Sequence, residues 1–177
     1  MTHQQTPEPM PTETKDWTVV LDAGCSECGW APFAPQDSVH RFADAATRWG
    51  LVLQRDDPRM RPAPLVWSPV EYAYHVRELL ELLAPRIRNM VAQEDPTFQN
   101  YDGDASAAEN QTWAADPAVV AREIKQATTE VLATLDALEP ADWQRAGHRS
   151  DAVVFTVGSL CQFIVHDVEH HLWDVNG

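Results

Sequence analysis

Four stretches of this chain repeat their apolar residues every three or four positions, the spacing that gives an α-helix one buried face. Val39, Phe42, Ala43, Ala46, Trp49 and Leu53 form the first stripe, with Ser38 as its N-cap and Asp56-Asp57-Pro58 as its stop. The second has the clearest start: Ser68 as N-cap, Pro69 at the first helical position and Glu71 closing a capping box. Its stripe runs through Tyr72, Val76, Leu79, Leu80, Leu83, Ile87 and Met90, and Pro85 inside it predicts a kink. Asp116-Pro117 opens the third, which buries Val120, Ile124, Ala127, Val131, Leu135 and Leu138. The fourth, from about Thr156 to Val175, carries Val157, Leu160, Cys161, Ile164, Val168, Leu172 and Val175. Four amphipathic helices with little strand signal predict an all-α fold, a four-helix bundle.

The remaining segments are read as follows. Residues 1–15, rich in Pro, Thr, Gln and Glu, are expected to be a disordered tail. They lack the positive and apolar regions of a signal peptide. Residues 16–177 are expected to be a single domain with an irregular N-terminal segment, in which 17–21 forms a strand-like strap. Residues 95–115 and 141–155 are expected to be connecting loops.

A net charge of −14 argues against nucleic acid or an anionic membrane as partner, since both require basic patches. No apolar run has the length of a membrane span. Three cysteines, an odd number, do not suggest a disulfide framework, and the cytoplasm is the expected location. Apolar residues exposed on the last helix would allow a homodimer.

Chemistry concentrates near the C-terminus, in His166-Asp167-Val168-Glu169-His170-His171. His166 and His170, four apart, stack on one helix face and can grip one metal ion. A helical wheel puts them nearly opposite the aliphatic stripe, flanked by Ser159, Phe163 and Trp173, so this helix must be covered on two sides. His171 falls at the edge of the stripe and reads as a packing residue. His75, beside the apolar stripe of the second helix, is the best third ligand. Three imidazoles leave a position open for water or substrate, the pattern of a catalytic metal site. The run also matches H-x-x-E-H, in which Glu169 would be a protease base, but Glu169 points about 100° away from His170 on the wheel.

The order Trp67-Ser68-Pro69-x-Glu71, then His75, then His166-x-x-x-His170 resembles the DinB-like superfamily of metal-binding four-helix bundles. The resemblance implies that His75, His166 and His170 bind a divalent metal, zinc first and nickel second. The family includes thiol-dependent S-transferases and the mycothiol-dependent maleylpyruvate isomerase. It therefore implies a transferase in which the metal activates a low-molecular-weight thiol, mycothiol first, for attack on a small electrophile. A thiol's ordinary pKa of about 8.5 leaves little thiolate at neutral pH without such help. A metal-dependent hydrolase on the same site, or a metal-binding stress protein without turnover, are the alternatives.

Cys25-x-x-Cys28, bracketed by Gly24 and Gly29, departs from the family pattern. It reads as half of a zinc knuckle or as a pair of secondary thiols. Cys161 and His40 are the candidate completing ligands, and the pair is expected to stand apart from the main metal site.

Overall fold

Each apolar stripe becomes one long helix. The computed structural model describes residues 6–8 and 10–177. Within it, α1 (Val20–Ala23) is a single turn, followed by α2 (Ser38–Val52), α3 (Pro69–Ala92), α4 (Gly103–Glu109), α5 (Pro117–Asp136) and α6 (Val157–Asp174). The capping chemistry expected for α3 is present: the Ser68 amide and hydroxyl donate to Glu71 Oε2 at 2.9 and 2.7 Å. For α5, Asp116 accepts from the Ala118 amide at 2.8 Å. Ser38 does not cap α2. It is the first residue of the helix, buried, with an unpartnered hydroxyl, because a 3-10 turn at Pro35–Asp37 leads the chain in ahead of it. α3 continues through Pro85 without interruption.

α2 packs on α5 and α6, and α3 packs on the same two helices. Chain neighbours therefore lie across the diagonals of the bundle: α2 faces α3, and α5 faces α6. Adjacent helices are not joined by tight turns, which is why the connections are long. The core between them is built on Phe42, Trp49, Leu83, Ile87, Ile124, Leu160 and Leu172. No helix among the described residues is long and apolar enough to cross a membrane.

The two expected loops carry more structure than their composition suggests. Residues 95–115 hold β1 (Thr97–Phe98) and α4, and 141–155 hold most of a hairpin, β2 (Ala146–Arg149) and β3 (Val154–Thr156). β1 joins β2 in parallel, pairing Thr97 with His148, and β2 joins β3 antiparallel. The segment expected to be a strand-like strap is instead helical, a 3-10 turn at Trp17–Val19 running into α1. Asp16 decides this by accepting from the Thr18 amide at 2.9 Å, and the turn buries Val20 beside Cys25 and Trp30. The expected disordered tail falls partly on 1–5 and 9, outside the described residues; 6–8 and 10–15 form neither helix nor strand.

The start of α3 rests on a buried ion pair. Glu71 is 1% exposed, and the Arg61 guanidinium grips both of its oxygens, Nε to Oε2 at 2.9 Å and Nη2 to Oε1 at 2.5 Å. Removing one partner strands a buried charge, so Glu71→Ala should lower the unfolding free energy by roughly 3–5 kcal/mol in chemical denaturation. Glu130→Ala, which breaks the exposed pair with Arg88, should cost under about 1 kcal/mol. Equal losses would contradict the assignment.

Candidate metal centre

Successive residues of α6 turn by about 100°, so its polar side chains leave in three directions. Glu169 turns to α2, where Arg41 Nε donates to its Oε1 at 2.7 Å and Arg41 Nη2 engages its Oε2. The base expected of a protease motif is thus committed to an ion pair. His166 and His170 turn to the N-terminal segment, their ring centroids 5.2 Å apart and packed by Trp17 and Trp30. Asp167 and His171 turn to α3.

On that third side, His75 Nε2 lies 3.2 Å from Asp167 Oδ1, and His171 Nε2 lies 3.0 Å from the same oxygen. One ligand atom from each of the three residues falls within 4.8 Å of the others. The far nitrogen of each ring is held separately. His171 Nδ1 meets Asp174 Oδ2 at 2.7 Å, and His75 Nδ1 meets the Tyr101 hydroxyl at 3.3 Å. Tyr101 in turn donates to Glu78 Oε2 at 2.6 Å. Outer partners of this kind would hold the Nδ1 proton and turn Nε2 toward an ion once the Nε2 proton of His171 is displaced. Burial, and then Glu78, push the Tyr101 phenol well above its usual pKa, so it keeps its proton. α4 closes on this arrangement through Gly103, where a Cβ would stand 2.7 Å from His75 Nδ1.

The electrostatics hold the central carboxyl ionised. Burial would raise the Asp167 pKa, but the His75 charge and the His171 hydrogen bond outweigh it and hold the carboxyl far below the usual range. Burial would lower His171, but its bonds to Asp167 and Asp174 outweigh that and raise it to about 9. A fixed carboxylate thus sits between two imidazoles, with a proton on His171 as its counter-charge. Two imidazole nitrogens and one carboxylate oxygen suit a divalent ion with positions left open. They open on a cleft of about 820 Å³, lined by Trp67, Tyr72, Tyr101, Phe163, Arg86 and Arg149.

The three histidines expected to act together are therefore divided. His75 stands with Asp167 and His171, whereas His166 and His170 stand with Cys25 and Cys28. His171, expected to be a packing residue, is at the centre of the first group, because the edge of the α6 stripe is where α6 meets α3. Sequence reasoning missed Asp167, His171 and Asp174. Their signal was present: Asp167-x-x-x-His171 is a second pair at the same spacing, one residue along from the first. Cys25 and Cys28 do not stand apart from the histidine cluster, as expected, but lie against it. Neither proposed completing ligand is near them. His40 is exposed on α2, and Cys161 is in the core, its thiol pushed up to about 12 by burial. Burial also pushes His166 down to about 4, so its ring is neutral at pH 7, and shifts His170 downward.

The DinB superfamily model matches residues 8–175. Among solved structures, YfiT from Bacillus subtilis superposes with a TM-score of 0.71 at 15% identity, over 80% of this chain and 83% of that one. YfiT is described as a probable metal-dependent hydrolase with an unusual four-helix bundle topology. Among curated proteins nothing matches the chain.

A metal ion entering between His75, Asp167 and His171 must displace the His171 proton. Because that pKa is raised to about 9, apparent affinity for zinc at this site should climb steadily from pH 6 to pH 9 and then level off. Calorimetry in buffers of different ionisation enthalpy should show proton release on binding below pH 9. An affinity independent of pH across that range would refute the assignment.

Proposed function

The chain belongs to the DinB superfamily, and from that premise we propose that it is a metal-dependent transferase that joins a low-molecular-weight thiol to a small electrophile. The observation that carries this reading is the convergence of His75 Nε2, His171 Nε2 and Asp167 Oδ1 at the base of a cleft. Zinc is one of the ions that take two histidines and a carboxylate in enzymes with an open position, and it is the first to try. Bound there, it supplies a Lewis acid that lowers the pKa of a thiol or of a water held in that position.

The protein's own residues do the rest. Asp174 and Tyr101 hold the two imidazoles in one tautomer and orientation. Trp67 and Tyr72, with ring centroids 5.4 Å apart, pack beside His75 and His171 and hold the two rings in place. Arg86 in the cleft wall offers counter-charge to an acidic molecule, and Arg149 beside it is paired with Asp151. A cleft of about 820 Å³ lies at the upper end of small-molecule sites, which run to about 1,000 Å³, and has room for a thiol and an electrophile together. Mycothiol is the first thiol to try. The three free cysteines fit a reducing compartment such as the cytoplasm.

A second reading, a metal-dependent hydrolase on the same three ligands, is favoured by the description of YfiT. Zinc-loaded protein incubated with mycothiol and a panel of electrophiles should consume thiol, and a chelator should stop it. Asp174→Asn, which frees His171 Nδ1, should reduce metal affinity or turnover by about 10–100-fold. Turnover of esters or amides without thiol would replace the transferase reading with the hydrolase. Stoichiometric metal without turnover of either kind would leave a metal-binding protein that is no enzyme.

A further inference from the structure

On the adjoining face of α6, about 100° round from Asp167 and His171, Cys25, Cys28, His166 and His170 each bring one ligand atom within 4.8 Å of the other three. We propose that these four residues form a second, closed zinc site that fastens the N-terminal segment to α6. The spacings C-x-x-C and H-x-x-x-H are those that present two thiolates from a tight loop and two imidazoles from one helix face.

The loop is shaped for the purpose. Gly24 and Gly29 take φ of 73° and 77°, and a Cβ on Gly24 would stand 2.8 Å from the Trp30 carbonyl oxygen. The Cys25 amide donates to that same carbonyl at 2.8 Å, and the Gly29 amide donates to the Cys25 carbonyl at 2.9 Å. The turn so closed puts both sulfurs on the side facing the histidines, with Cys25 Sγ 3.6 Å from His170 Nδ1.

A second observation points to a ligand. His166 is 3% exposed, and its Nε2 is buried without a hydrogen-bond partner. Around it lies an apolar cluster of Val20, Trp30, Trp17, Phe33 and Phe163. An orphaned polar nitrogen in such surroundings is costly unless something accepts its lone pair. Zinc does so, and two thiolates cancel its two charges, so the buried site is neutral overall. Each thiol gives up one proton on binding, and two protons leave. His170 Nε2 points toward Glu27 Oε2 at 3.8 Å, a carboxylate placed to orient the ring from outside.

Four protein donors leave no position for substrate, which distinguishes this site from the open one. Its role is to tie parts of the chain 145 residues apart. The segment so anchored includes Trp17, which lines the cleft. The proposal does not rest on the function proposed for the other site.

Full-length protein loaded with Co²⁺ under reducing conditions should show a thiolate-to-cobalt charge-transfer band and tetrahedral d–d bands. The double variant Cys25→Ser, Cys28→Ser should lose the band and one equivalent of zinc. Glu130→Ala, in an exposed pair with Arg88 away from both sites, should keep both. Absence of the thiolate band from the wild-type protein would overturn the proposal whether or not the variants fold. So would unchanged zinc content in the double variant, or a Cys25–Cys28 disulfide in freshly purified protein free of zinc.

Discussion

α6 has almost no solvent face, and the rest of the molecule is arranged around that constraint. Of its 18 residues only Trp173 is exposed. A helix enclosed on all sides would be expected to be apolar throughout. This one carries His166, Asp167, Glu169, His170 and His171 within two turns, and each buried polar group needs a partner. Three neighbours supply partners: α2 through Arg41, α3 through His75, and the N-terminal segment through its two cysteines. The polar side chains of α6 thus specify what must pack beside it.

The diagonal arrangement of the bundle makes this possible. With α2 and α3 both against α6, and α5 across from it, α6 meets one partner for each of two polar faces and leaves the third to the chain before α2. The long connections that this topology requires are put to use. The connection between α3 and α5 carries Tyr101 and Gly103, which hold His75 from behind, and the hairpin before α6 carries Arg149 into the cleft wall. Long loops in a small domain are frequently functional, and here they complete the surroundings of the metal ligands.

The electrostatic contrast between the two faces follows from the same packing. His171 is hydrogen-bonded to two carboxylates and is raised, whereas burial lowers His166 and, outweighing the more distant Asp174 and Glu27, lowers His170. Adjacent residues on one helix are thus shifted in opposite directions. Asp167 is held ionised beside His171, and no comparable anion contacts His166. One face sets a carboxylate between two imidazoles, and the other sets two imidazoles beside two thiols among aromatic rings.

The helices were readable from sequence because their signals are local. Apolar spacing, the Ser68–Glu71 box and Asp116-Pro117 act within one or two turns, and they place the starts of α3 and α5 to the residue. The small strands were not readable, since two- to four-residue strands are set by pairing between distant segments. The histidine spacing, the CxxC loop and the position of His75 were equally evident in the chain. What the sequence could not decide was the rotation of α6 about its axis. A shift of one residue turns the helix by about 100°, and that angle separates His166 and His170, which meet the cysteines, from Asp167 and His171, which meet His75. The aliphatic stripe is too broad to fix the angle, so only the packing of α6 against α3 and the N-terminal segment determined which ligands belong together.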